Sequence, residues 1–280
     1  MATILNNIYN IMKKNIDKFK KQDLQNFVEL CSAYIDIDKD KFFELAFNAL
    51  LYYKGSKGQR EQLREYQEIE SRWYSSLTAE KPDYSVYDDP YMLVEVWACW
   101  VMYSRKYIKL LDKAGQTEYG SLRDALGCIT SIADIGCGCA YTTAAWKEAY
   151  PDANVIGTQV VGSPQFEIAT NMGAVHGFGI IGQLESHADL IFASEYFEHW
   201  EAPVEHLEEV LAKATPKALI IANAFGSKSV GHFNIYKDRG IGYNPKTISR
   251  KFNQCLRNHG YTLVRTKFWN DRPTVWVKHS

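Results

Sequence analysis

The sequence predicts a doubly wound α/β domain behind a block of helices, on three observations. From about residue 120 onward, short apolar runs alternate with helical segments in the order that winds a largely parallel sheet. Within that region the run Ile132 and Ala133 passes through Asp134, Ile135, Gly136, Cys137 and Gly138 to Ala140 and a helix-compatible segment near Tyr141. That order is a buried strand, a tight glycine turn and a helix start. Before residue 118 the chain carries helical periodicity and no clear catalytic motif.

Taken in order, residues 3–21 place Ile4, Leu5, Ile8, Ile11, Met12, Ile16 and Phe19 at helical spacing, with lysines crowding the other side. A second helix is expected over 23–35. Asp36, Asp38 and Asp40 then imitate the start of a calcium loop, but the sixth-place glycine and twelfth-place glutamate are missing. They read as a turn and cap for a third helix through Phe42 and Leu51. Two glycines between Lys54 and Gln59 break the pattern, and a polar helix runs on to about Leu77. After a loop at 79–90, apolar residues lie almost all round the helix from Tyr91 to Lys113, which must therefore be buried between two layers. The sheet region predicts strands at 130–135, 153–159, 175–181, 188–193, 217–223, 261–269 and 273–279, and helices at 141–149, 163–172, 203–213 and 245–258. The last two strands form a hairpin about Asn270, Asp271 and Arg272.

With 280 residues, 46% hydrophobic and 14% aromatic, the chain can bury one large core or two modest ones. A net charge of −1 provides no global field towards nucleic acid or an anionic membrane. Six cysteines without a secretory signal favour a reduced, cytoplasmic setting, and no apolar run is long enough to span a bilayer.

Glycines sit in the turn because a side chain would hold the backbone away from a ligand resting on it. A nicotinamide fingerprint would place a third glycine where Tyr141 stands. The strand followed by Asp134-x-Gly136-x-Gly138 instead resembles the first motif of the class I S-adenosylmethionine-dependent methyltransferases. The resemblance covers roughly 120–280. It implies a Rossmann-like seven-stranded methyltransferase sheet over 119–280, with an N-terminal all-helical cap over 1–118 that selects the acceptor. It further implies that the backbone of Gly136, Cys137 and Gly138 carries the methionine part of the cofactor and that Asp134 orients it. Two departures stand out: Gln159 ends strand two and Gln183 follows strand three, where the family has acids near the ribose and the adenine. An amide replaces a carboxylate only in part. Arg105, on the last helix of the cap, is the candidate for the cofactor's carboxylate, and Glu195 is expected among the cofactor-binding residues with Gln159 and Gln183.

After strand four, Glu195, Glu198 and His199 fall at i, i+3 and i+4, so a helical turn there points all three the same way. They emerge at the carboxyl end of a central strand, where open α/β sheets bind ligands, and His232 follows strand five at the same edge. Two carboxylates and imidazoles converging there can hold a divalent ion. Glu205 and His206 repeat the Glu-His dipeptide on what reads as a solvated face. The set E-x-x-E-H with a later His resembles the small-RNA 3′-terminal 2′-O-methyltransferases and the O-methyltransferases of ubiquinone biosynthesis. Carried over, the resemblance makes Glu195, Glu198, His199 and His232 ligands of a divalent metal, with Glu198, His199 and His232 catalytic. Histidine ligands tilt the choice towards manganese, iron, cobalt or zinc over magnesium. The acceptor implied is a hydroxyl of a nucleotide, an RNA end or a small diol. Aromatic residues near this rim, Tyr196, Phe197, Trp200, Phe225 and Phe233, could stack on a flat acceptor, and Trp269, Asn270 and Arg272 are further rim candidates. Two other readings stay open: a metal-free methyltransferase with His199 as general base, and a protein that keeps the fold as a scaffold without turnover.

Overall fold

The structure is a computed structural model that describes residues 18–32, 37–53, 60–79, 81–268 and 273–278. The expected helix at 3–21 lies outside these residues except at its end, as do the rim candidates Trp269, Asn270 and Arg272.

Helices α1 (Lys18–Cys31), α2 (Lys39–Tyr53) and α3 (Arg60–Ser76) lead to a 3₁₀ turn at Tyr84–Asp88 and then to α4 (Pro90–Leu111). Asp89 caps α4 by accepting from the Tyr91 amide, with Pro90 in the first turn. The greasy circumference of α4 is spent on three sides. Met92 joins the core that holds Trp73 and Phe197, Leu93 and Trp97 join α1 and α2, and Ile108 and Leu111 join the core around Trp146. Trp97 stacks on Phe27 of α1 at a centroid distance of 4.3 Å. A short helix, α5 (Leu122–Leu126), closed by a Ser121–Asp124 capping box, delivers the chain to the sheet.

The sheet has seven strands in the order β3-β2-β1-β4-β5-β9-β8. Strands β1 (Ser131–Ile135), β2 (Asn154–Thr158), β3 (Gly179–Ile181), β4 (Leu190–Ser194) and β5 (Ala218–Ala222) are parallel, and β9 (Thr274–Lys278) runs antiparallel to both β5 and β8 (Tyr261–Val264). The order reverses at β1 and β4, so both strands end at the switch point where such sheets bind ligands. Helices α6 (Tyr141–Ala149), α7 (Pro164–His176), α8 (Pro203–Ala214) and α9 (Pro245–Asn258) connect the strands.

Several boundaries differ from the sequence reading: α1 runs unbroken from Lys18 to Cys31 across the break expected near residue 22, and the short helix α5 was not expected. Helix α7 continues through Val175 and His176, expected in a strand, until Gly177 at φ 75° turns the chain, and β3 shrinks to three residues. Strand β8 stops at Val264 where 261–269 was expected. A small hairpin, β6 (Tyr236–Asp238) with β7 (Ile241–Tyr243), occupies the stretch after strand five that was expected to be loop. Asp238 anchors it by accepting from Lys251 of α9 at 2.7 Å.

Close packing under the glycine turn explains one further sequence choice. A Cβ on Gly157 of β2 would stand 2.8 Å from both Cys137 Sγ and Ile180 Cδ1. Gly157→Ala is therefore expected to destabilise the protein by about 1–3 kcal/mol through overpacking. Urea unfolding measures this, and an unchanged midpoint would contradict the packing argument.

Candidate functional site

Strand β1 ends in a turn that is braced from below. Gly136 and Gly138 adopt φ 69° and 55°, and Ala140 takes the same left-handed conformation at φ 61° as α6 begins. The Gly136 amide donates to Thr158 Oγ1 at 3.1 Å and the Cys137 amide to the Thr158 carbonyl at 3.0 Å. Asp134, expected to orient a ligand, is 2% exposed and accepts from Thr142 Oγ1 at 2.6 Å and Thr143 Oγ1 at 2.7 Å. It ties the strand to the first turn of α6. Cys137 is buried against Ala169 and Gly157. Burial raises the Asp134 carboxyl to about 6, against which the two threonine hydroxyls pull downward.

Two cavities open on this turn. The smaller, about 300 Å³, is lined by Gly136, Gln159, Gln183, Leu184, Tyr196 and His206. The larger, about 830 Å³, reaches Gly136, Gly138 and Gln159 on one side and Glu195, His199 and His232 on another. Gln159 spends its amide locally: Nε2 donates to the Gly138 carbonyl at 3.3 Å and Oε1 accepts from the Val160 amide at 2.7 Å. Gln183 donates to Glu185 at 3.4 Å. Arg105 lines neither cavity; its Nε donates to Glu148 at 2.8 Å near the far end of α6, away from the turn.

Tyr196 divides the two spaces. Its ring lies on Gly136, where a Cβ would come within 2.2 Å of Tyr196 Cδ2. Its hydroxyl is 2.8 Å from His206 Nε2, and the His206 ring stacks on Trp200 at 3.6 Å. His206 is thus a wall residue rather than the solvated one its helical position suggested, and burial lowers its pKa to about 4. Of the other aromatic rim candidates, Trp200 lines both cavities, whereas Phe197, Phe225 and Phe233 are core.

The acid and imidazole cluster forms as strand β4 ends. Glu195 adopts φ 51°, uncommon for a residue with a side chain, while its amide still donates to the Ala222 carbonyl at 2.8 Å. The chain then enters a 3₁₀ turn at Phe197–His199 that buries Glu198 completely. Glu198 Oε1 accepts from the Ala224 amide at 2.6 Å, and Oε2 has no partner within the protein. Burial, followed by the neighbouring Glu195 carboxylate, raises Glu198 to about 8. Ligand atoms of Glu195, Glu198 and His232 lie within 4.8 Å of one another. His232 Nδ1 is 2.9 Å from the Ser227 carbonyl, which can only accept, so the hydrogen sits on Nδ1 and Nε2 keeps its lone pair. The His199 ring meets the His232 ring edge-on at a centroid distance of 4.9 Å, with its Nδ1 2.7 Å from the Tyr87 hydroxyl. Burial lowers His199 to about 3 and also lowers His232, so both imidazoles are neutral.

The loop that carries His232 is held by residues that sequence reasoning missed. Trp73 Nε1 donates to the His232 carbonyl at 2.6 Å, Tyr66 Oη is 2.5 Å from Ser229 Oγ, and Tyr74 Oη accepts from the Ser229 amide at 3.2 Å. All three stand on α3, about 155 residues or more before their partners.

An orphaned, fully buried carboxylate oxygen beside a second carboxylate and a lone-pair nitrogen is a donor set that fits a divalent cation. The Tyr196 ring lies on the glycine turn between the two cavities, so a ligand laid across both would have to displace it.

No protein-family model matches the sequence, and no curated protein matches it. Solved structures do resemble it in three dimensions. An O-methyltransferase family protein from Burkholderia thailandensis superposes with a TM-score of 0.56 at 14% identity, covering 79% of this chain and 71% of that one. The chain has the class I methyltransferase fold. Human N-acetylserotonin methyltransferase, solved with S-adenosylmethionine, superposes with a TM-score of 0.50 at 9% identity, over 83% of this chain and 70% of that one.

The Asp134 brace predicts a pH effect. Its folded pKa, about 6, lies above the ordinary aspartate value of 3.8, so the folded state holds the proton more tightly and stability falls as pH rises through this window. Asp134→Asn should flatten the fall, which amounts to roughly 3 kcal/mol for a separation of about two pKa units. Denaturant unfolding of both proteins between pH 4 and 7, that is across about three units, reads the difference; parallel curves would contradict it.

Proposed function

We propose that this chain is an S-adenosylmethionine-dependent O-methyltransferase assisted by a divalent metal. The observation that carries the reading is the Glu198 Oε2 left unpaired in the interior beside Glu195 and His232, at the edge of a glycine turn that can carry the methyl donor. Glu195, Glu198 and His232 would hold the ion, with His199 as the fourth candidate. Mixed carboxylate and imidazole donors favour manganese over magnesium. Bound there, the dication would lower an acceptor hydroxyl's pKa and the sulfonium would supply an electrophilic methyl. Gly136 and Gly138 let the donor approach the backbone, Gln159 and Gln183 line the space beside its nucleoside, and an imidazole that does not ligate the ion would be the one to take up the hydroxyl proton. Residues 1–118 act as the acceptor-selecting cap.

Among the acceptor classes the sequence suggested, the cavity lining favours a small diol over a nucleotide or an RNA end. Among the described residues that line the larger cavity there is no lysine or arginine, while Asp88, Glu95 and Glu195 are present with Tyr84, Trp100 and Trp200. Carboxylates repel a phosphate and aromatic faces welcome a flat, uncharged ring. No helix among the described residues is long and apolar enough to cross a membrane.

Calorimetry with S-adenosylhomocysteine and with Mn²⁺ tests both halves. The wild type should bind each, and Glu198→Gln should lose Mn²⁺ while keeping S-adenosylhomocysteine. Absence of both from the wild type would overturn the enzyme. One observation favours the alternative of a fold without turnover, the Tyr196 ring on Gly136. A wild type that ignores S-adenosylhomocysteine beside a Tyr196→Ala variant that binds it would support that alternative; equal or tighter binding by the wild type would dismiss it.

A further inference from the structure

Tyr87 belongs to neither the glycine turn nor the acid and imidazole cluster, and it stands 112 residues before His199. Its ring nevertheless meets the His199 ring edge-on, with the hydroxyl 2.7 Å from Nδ1. Gly231 closes the same edge. At φ 82°, a Cβ there would fall 1.7 Å from the Tyr87 hydroxyl and 2.2 Å from His199 Nδ1. Three distant segments thus meet at one ring nitrogen, and only glycine permits the approach. Gly231 lies on the Nδ1 side of the His199 ring, and a backbone carbonyl bonded there can only accept, which requires the hydrogen on Nδ1.

We propose that Tyr87 is a positioning residue for the metal centre: it holds the His199 ring by Nδ1, in the tautomer that leaves Nε2 unprotonated, so that Nε2 can add to the Glu195, Glu198 and His232 group, whose ligand atoms converge without it. On His232 the Ser227 carbonyl, which can only accept, sets the same tautomer, whereas the Tyr87 hydroxyl can donate or accept and holds the ring in place at Nδ1. Outer partners of this kind fix the tautomer and the ring plane of metal-binding histidines. The difference lies in the source of the partner. Ser227 belongs to the same loop as His232, whereas Tyr87 comes from the 3₁₀ turn between α3 and α4. The centre is therefore complete only when that N-terminal segment is seated, as the grip of Trp73 on the His232 carbonyl also requires. Burial keeps the Tyr87 phenol protonated, so the contact is a neutral hydrogen bond.

The inference rests on the metal reading, and the experiment separates the two. Long-range ¹H–¹⁵N spectra of the metal-free protein report the His199 tautomer, and Mn²⁺ titrations followed by electron paramagnetic resonance report affinity for the wild type, Tyr87→Phe, His199→Ala and the double variant. Expected are Nδ1–H on His199 in the wild type and a loss of roughly 10–100-fold in Mn²⁺ affinity for Tyr87→Phe. The double variant should bind no more weakly than His199→Ala, because Tyr87 acts through that ring. An Nε2–H tautomer in the wild type, undiminished Mn²⁺ affinity in Tyr87→Phe, or additive losses in the double variant would each overturn the role of Tyr87 alone. A wild type that binds no Mn²⁺ would overturn the metal reading and this role with it. The wild-type spectrum needs no variant to fold, so a Tyr87→Phe protein that misfolds still leaves the tautomer to decide.

Discussion

The buried carboxylate of Glu198 is the constraint on which the site depends. A carboxylate with no exposure and one unpaired oxygen is costly to keep in a folded protein unless a proton or a cation joins it. Everything nearby is arranged to keep it there. The left-handed Glu195 turns the chain sharply off β4, the 3₁₀ turn buries Phe197 and Glu198, and the Ala224 amide after β5 holds Oε1. Neighbouring parallel strands β4 and β5 end together, so their loops are brought into contact by sheet register alone.

The second constraint comes from the N-terminal helices. Tyr66, Trp73 and Tyr74 of α3 bond the backbone and side chains of the loop after β5, and Tyr87 bonds His199 after β4. The helical segment is therefore part of the site's framework as well as a wall of its larger cavity. Each such hydrogen bond contributes on the order of 1 kcal/mol, but its larger effect is to limit the loop to one geometry.

Much of this was legible in the sequence where the signal is local. The strand, glycine turn and helix at Ser131–Ala149 follow from apolar run, glycine spacing and helix start, and the alternation after residue 120 reads directly as a doubly wound sheet. The E-x-x-E-H spacing drew attention to Glu195, Glu198, His199 and His232, and the fold brings the ligand atoms of three of them together. Boundaries failed where a single residue decides them. Gly177 rather than the β-branched Val175 ends α7, and the β6–β7 hairpin depends on the long-range Asp238–Lys251 pair. Asp134 and Arg105 were assigned to a ligand by position in a motif; in the structure Thr142 and Thr143 bond one oxygen of Asp134, and Glu148 bonds Nε of Arg105. His206 repeated a dipeptide but not its surroundings. The tyrosines and tryptophan that secure the site carried no local signal, because their partners lie far along the chain.

The most direct measurement of the central claim is anomalous diffraction at the manganese edge from crystals grown with Mn²⁺. A single strong peak among Glu195, Glu198 and His232, within bonding distance of Glu198 Oε2, is the predicted result. No peak there, with Glu198 Oε2 instead bonded to a protein donor, would contradict it.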